Sequence, residues 1–284
     1  MINFKPYDGD AFKLYKDAVE RKNEGSDKTT LENVEGKVVN SYVAYQSAFS
    51  DKIVHLLSKD DSYSPDEKYL LKDLYTSKAK VIKDIRKWID GNNKRTYLRK
   101  CPYCTLNRAN TTEHILPKDV YPEYAIHALN LLPCCSECNS AKGEKVRDKK
   151  GDPLFINFYY HKLPEQQYLY VRLFEDKNGY VDFEYYLDNS KHTVDEYMFQ
   201  LIQKHFDMLG LLKRFEEEAI ANYTEIENQL KMNASNCGVK KCLEDLRNNT
   251  LEDAKEYGRN YWKVILKLVL AESEWYAGYL EKQI

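Results

Sequence analysis

Two pairs of cysteines limit what this chain can fold into more than any other feature. Cys101-Pro-Tyr-Cys104 and Cys135-Ser-Glu-Cys138 are CxxC turns separated by 30 residues. Each turn aims two thiolates at one point, and two such turns complete a tetrahedral four-cysteine Zn²⁺ site. Five of the seven cysteines fall between 101 and 138, with no apolar leader at the start, MINFKPYDGD. An odd, clustered set of this kind suits metal ligation in a reducing, cytoplasmic setting better than a disulfide framework. Cys134 could compete with Cys135, but only Cys135 makes the CxxC spacing, so Cys134 reads as a small buried hydrophobe. Cys237 and Cys242 read as structural. A closed four-cysteine site has no open coordination position, so it should hold the fold and do no chemistry.

The gap between the knuckles is longer than the roughly 15–20 residues of a simple zinc ribbon. The insert contains Thr-Thr-Glu-His-Ile-Leu-Pro-Lys at 111–118. Two readings fit Glu113-His114: a polar strand end in a module that only binds, or an acid and a base placed for phosphodiester hydrolysis. The second needs a neutral imidazole to take a proton from water. It also needs a hard cation on oxygen ligands to stabilise charge on the phosphoryl group. Neighbouring side chains on a strand face opposite ways, so the pair can serve one phosphate only at a twisted or terminal position. His127 lies near this stretch but out of register, and His55, His161, His192 and His205 belong to no recognisable constellation.

Charge is uneven. The formal net charge is −2, yet residues 91–150 carry eleven basic and six acidic side chains, leaving that window at +5 and the remainder at −7. Arg95, Lys118, Lys142 and Lys145 belong to this island, which can draw in a polyanion or simply be solvated surface. No apolar run is long enough to span a membrane; VILKLVL at 264–270 is short and broken by Lys267.

Periodicity predicts helices on both sides of the cysteine region. Ser64-Pro65-Asp66-Glu67 reads as a capping box opening one helix that runs to about Gly91. Another helix is expected over 38–57, after a polar break at 22–30. Residues 168–174 and 180–187 alternate as strands around an Asp-Lys-Asn-Gly turn at 176–179. Helix resumes near Val194, with Leu212, Phe215, Ala219, Tyr223, Ile226 and Leu230 as a packing stripe. A last helix is expected after Thr250, its aromatics Tyr261, Trp262, Trp275 and Tyr279 serving the core.

Taken in order, CPYC at 101–104, EHILPK at 113–118, Asn130-Leu-Leu and CSECNSAKG at 135–143 resemble the HNH (ββα-metal) endonuclease family, over about 43 of the 284 residues. More loosely, the chain is similar to the HNH effectors of Septu-type and retron-associated anti-phage systems. The resemblance implies an α+β fold: a mainly helical chain with a central ββα-metal module stapled by four-cysteine zinc, plus a β-hairpin. It divides the chain into 1–92 (helical), 93–152 (nuclease module), 153–190 (hairpin extension) and 191–284 (helical). It implies that His114 is the general base, that Asn130 orients it, and that Glu113 and Asn139 hold a catalytic ion. Glu stands where the family commonly has Asp, and Asn139 where His is an alternative; the oxygen donors favour Mg²⁺ or Mn²⁺. Lys118, Lys142 and Lys145 are expected to meet the nucleic acid backbone, DNA first, with RNA left open. The chain has no glycine-rich Lys-Ser/Thr phosphate loop, so a regulatory partner, an ATPase among the candidates, is expected to control it. The competing reading is a non-catalytic zinc-knuckle protein that binds nucleic acid or a partner.

Overall fold

The computed structural model describes residues 3–75, 79–94 and 99–284; Arg95 lies outside the described residues. The fold is mixed α+β, 55% helical with two small antiparallel hairpins. Its contacts cluster into two compact units, Asn3–Lys162 and Leu163–Ile284. The boundaries expected near 92 and 152 fall inside the first unit, and that near 190 inside the second.

In the first unit, α1 (Ala11–Glu20) is capped by the Asp10 side chain, which accepts from the Phe12 and Lys13 amides. Helix α2 (Ser26–Asn33) fills most of the stretch expected as a break. Its periodicity is weak, but Leu31 is fully buried, so tertiary packing supplies what local pattern lacks. Helix α3 (Glu35–Ser50) buries Val38, Tyr42, Tyr45 and Ala48 at helical spacing and stops before a turn at Lys52 (φ 61°), short of the Leu57 end expected. Helix α4 (Pro65–Asp73) opens with the predicted capping box. The single helix expected to Gly91 is two helices. Ala79 is extended (φ −58°, ψ 139°) and precedes α5 (Lys80–Asn92), which buries Val81, Ile82, Ile85 and Ile89.

These helices enclose a ββα module. Strand β1 (Thr111–His114) pairs antiparallel with β2 (Leu131–Cys134), Glu113 opposite Leu132 and His114 opposite Leu131. Helix α6 (Ser136–Lys142) follows directly. The loop joining the strands makes two 3₁₀ turns, Pro122–Tyr124 and Ala128–Asn130, and is buried through most of its length. From α3, the Tyr45 hydroxyl donates to the Leu129 carbonyl at 3.2 Å. From α4, Lys72 pairs with Asp119 at 2.7 Å. After the module, Tyr159 donates its hydroxyl to the Leu131 carbonyl, and the Phe4 amide donates to Phe158 at 2.9 Å. Residues 153–162 therefore belong to the packing around the module.

In the second unit, β3 (Leu169–Glu175) and β4 (Val181–Leu187) form the predicted hairpin, Leu169 opposite Leu187. Asp176 accepts from the Asn178 and Tyr180 amides, and Gly179 takes φ 84°, a left-handed conformation that glycine adopts without strain. Helices α7 (Glu196–Leu209) and α8 (Leu211–Cys237) follow, and the α8 stripe from Phe215 to Leu230 is buried as expected. The last helix expected is three: α9 (Val239–Tyr257), α10 (Trp262–Glu272) and α11 (Glu274–Glu281). Gly258 (φ 84°) and Ser273 (ψ 114°) interrupt them. No helix among the described residues is long and apolar enough to cross a membrane.

Candidate metal centre and active-site cleft

The two knuckles converge. The Sγ atoms of Cys101, Cys104, Cys135 and Cys138 all lie within 4.8 Å of one another, and all four residues are buried. Cys104 Sγ is 3.8 Å from Cys135 Sγ. A tetrahedral zinc with bonds of about 2.3 Å sets its sulfurs about 3.8 Å apart, so the donors fit such an ion. Local backbone makes the fit. The Thr105 amide closes the first turn onto the Cys101 carbonyl at 2.8 Å, with Thr105 at φ 60°. The Cys138 amide donates to Cys135 Sγ at 3.4 Å in the second. Hydrogen bonding among the crowded sulfurs pushes the Cys104 and Cys138 thiols up and those of Cys101 and Cys135 down, so a cation is needed before all four can be thiolates. The four buried cysteines can therefore hold a metal ion such as zinc. Cys134 is fully buried, its Sγ 3.6 Å from that of Cys101, just outside the set.

Beside the module lies an open cleft of about 290 Å³ whose lining includes Tyr75, Thr112, Glu113, His114, Lys118 and Asn139. Four expected site residues share it. The His114 imidazole bonds through Nε2 to the Ala125 carbonyl at 3.0 Å. A carbonyl only accepts, so this contact places the proton on Nε2 and the basic lone pair on Nδ1. Tyr75 meets the same ring edge-on, centroids 4.4 Å apart. Burial above all lowers the His114 pKa to about 4, with the Lys118 and Lys142 charges acting the same way and the Ala125 carbonyl opposing. The ring is neutral at pH 7.

Glu113 is 2% exposed, and its Oε1 pairs with Lys142 Nζ at 2.7 Å. The same ammonium donates to the His114 carbonyl at 3.0 Å, so α6 is tied to β1 on both sides of the peptide between the two residues. Burial raises the Glu113 pKa and Lys142 opposes that rise. Glu113 Oε2 is buried with no hydrogen-bond partner among the described residues. An unmatched carboxylate oxygen is costly to bury and is a fitting donor for a hard cation. Asn139, one residue beyond the last cysteine, donates from Nδ2 to the Thr112 carbonyl at 3.4 Å, which leaves its Oδ1 as an acceptor.

Two expectations change. Lys142 was expected at the nucleic acid backbone, but it is 2% exposed and committed to Glu113. It stands four residues after buried Cys138 and so on the inner face of α6. Asn130 was expected to orient His114, yet the direct contact is the Ala125 carbonyl. Asn130 works one layer out: it accepts from the Leu116 amide at 2.7 Å and donates to the Leu116 and Tyr124 carbonyls at 3.0 and 3.1 Å. It thereby fixes the loop that presents Ala125. Of the other lysines, Lys118 pairs with Asp119 at 3.1 Å, and Lys145 is exposed. Sequence reasoning missed Tyr75 and the Ala125 carbonyl, which no spacing rule connects with His114.

Two known proteins resemble the chain. Over 190 residues it is 25% identical to protein ea31 of Escherichia phage lambda, a match covering 62% of each protein. Over 60 residues it is 40% identical to Septu protein PtuB of Bacillus thuringiensis, covering 19% of this chain and 23% of that one. The chain thus matches less than two thirds of the length of either. No family model matches it, and no solved structure does.

Proposed function

We propose that this chain is a metal-dependent HNH-type endonuclease that hydrolyses DNA phosphodiester bonds, and that it serves as the effector of an anti-phage defence system. One observation carries the catalytic part: a neutral, buried His114, fixed through Nε2 on a ββα hairpin, shares a cleft with an acid and an amide able to hold a hard cation.

His114 Nδ1 takes the proton of a water as the water oxygen attacks phosphorus, and the P–O3′ bond breaks. The products are a 5′-phosphate and a 3′-hydroxyl, the leaving oxygen acquiring its proton from solvent. Glu113, through Oε2, and Asn139, through Oδ1, would hold Mg²⁺ or Mn²⁺, which supplies Lewis-acid stabilisation of the phosphoryl charge. Burial makes His114 a weaker base than free imidazole, and the arriving phosphate anion raises its proton affinity again. The Ala125 carbonyl holds the ring through this change. Lys142 opposes the rise that burial imposes on the Glu113 carboxyl.

The partial likeness to a Septu protein supports a defence role, and the absence of a phosphate-binding loop supports control by a partner, an ATPase among the candidates. The other relative is a phage protein, so the genes beside this one discriminate between a host and a phage setting. The competing reading, a binding-only zinc module, draws on Lys142, which already neutralises Glu113.

Plasmid nicking in Mg²⁺ or Mn²⁺ by wild type and His114→Ala separates the two. The nuclease reading expects His114→Ala to lose 100-fold or more, about the weight of a general base. Equal nicking by both proteins, or none by wild type with its partner present, sinks it.

A further inference from the structure

Three lysines that line the cleft or bond to a residue lining it have a carboxylate partner among the described residues. Lys118 pairs with Asp119, Lys72 pairs with Asp119, and Lys142 pairs with Glu113. Arg86, on α5, makes no ion pair among the described residues. Its Nε and Nη2 both donate to the Thr112 hydroxyl, at 3.0 and 2.5 Å. It is half-buried, so it is held in place yet reachable.

Its position follows from strand geometry. Side chains two apart on a strand share a face, so Thr112 and His114 point the same way from β1, roughly 7 Å apart along it. The Thr112 carbonyl is also the group that Asn139 contacts. Arg86 therefore reaches the His114 face of the hairpin and abuts the residue that locates Asn139. Two of its nitrogens are used on one neutral hydroxyl, and the remaining N–H donors keep the planar fork suited to a phosphate.

We propose that Arg86 is a phosphate-binding residue, gripping the phosphodiester next to the scissile one and setting the register of the strand in the cleft. This deepens the nuclease reading and rests on it. It assigns an anchor outside the motif: a helix 26 residues upstream of Thr112 closes one side of the path, where the expected Lys142 faces inward.

The test is binding of a fluorescein-labelled 20-base-pair DNA duplex by anisotropy across a KCl series. The whole chain carrying His114→Ala is used, so that no cleavage occurs. Adding Arg86→Gln is expected to weaken binding about 5- to 10-fold and to reduce the slope of log K against log salt by about 1. Adding Thr112→Val, which removes the tether and keeps the charge, is expected to leave the slope intact. An unchanged slope in Arg86→Gln, or equal losses of slope in both variants, overturns the proposal, because a purely structural link would behave so.

A second measurement needs no substitution at Arg86. Phenylglyoxal labelling, mapped by mass spectrometry, is expected to modify Arg86 in the free protein and to be blocked by saturating duplex; undiminished labelling with DNA bound overturns the proposal. Wild-type plasmid nicking run in parallel keeps the two claims apart. Nicking with an unchanged slope removes only Arg86, whereas neither nicking nor binding removes the nuclease reading with it.

Discussion

The cysteine cluster and the cleft share one small ββα module and are built on opposite principles. The cluster uses four identical donors, all buried and drawn from two local turns. The cleft is open, but the imidazole and carboxylate at its wall are buried, and they and the amide are positioned by groups from the inter-strand loop and α6. A closed set of soft donors suits a metal that stays; a mixed, open set suits an ion and a substrate that arrive together. The two meet at Cys138-Asn139, where the last cysteine of the cluster directly precedes the amide that lines the cleft.

The largest effect expected from breaking this arrangement lies in the cluster. Cys101→Ser should abolish binding of one zinc per chain and remove cooperative melting of the first unit, measured by elemental analysis and circular dichroism. A full melt in a zinc-free protein would show that the helices hold the hairpin without the staple.

Next is the buried pair. Lys142→Met leaves Glu113 as an uncompensated buried acid and should cost about 3–5 kcal/mol in denaturant unfolding. Adding Glu113→Gln should recover most of that loss, since the pair then no longer exists. If the double variant is as unstable as the single one, Lys142 acts through packing. The double variant should also lose any stabilisation by Mn²⁺ in thermal melts, a readout independent of cleavage.

Asn130→Ala comes third. It strips partners from the Leu116 amide and from two carbonyls, and should cost about 3 kcal/mol. Nicking should fall with it, because the Ala125 carbonyl loses its support. A stable variant with full activity would sever Asn130 from the site.

The smallest effect is in pH dependence. The His114 pKa lies near 4 in the folded protein against about 6.5 unfolded, so the ring stays neutral as pH falls through 6.5. The kcat/KM for nicking should therefore be nearly flat from pH 8 to about 5, whereas a free imidazole would halve it near 6.5. The stability linked to this group has the depressed-pKa sign: present above about 6.5 and lost as pH falls towards 4. Proton competition for the thiolates should release zinc over the acid part of that range, so loss of metal sets in before loss of the base.

The two sites also differed in how far they could be read from the residues alone. CxxC spacing is local, so the cysteine set was legible, as was the β3–β4 hairpin from its alternation and turn. Glu113, His114 and Asn139 were legible as a set because the knuckles framed them. What surrounds them was not. Tyr75 reaches the cleft, the Ala125 carbonyl reaches His114 and Arg86 reaches Thr112 through tertiary packing, which no spacing encodes. Lys142 was misread by charge, although its place four residues after Cys138 marks the inner face of α6. The helix breaks at Ala79, Gly258 and Ser273 were missed because apolar periodicity continues across each of them.

The division of labour between the two sites can be tested in one preparation. Protein freed of Mg²⁺ and Mn²⁺ by gel filtration, with its zinc content measured, is assayed for plasmid nicking, alone and beside the proposed partner, before and after either ion is restored. The account predicts about one zinc per chain throughout, no nicking without the added ion, and full nicking with it. Nicking that persists in the ion-free protein, or that rises and falls with zinc content, would contradict it.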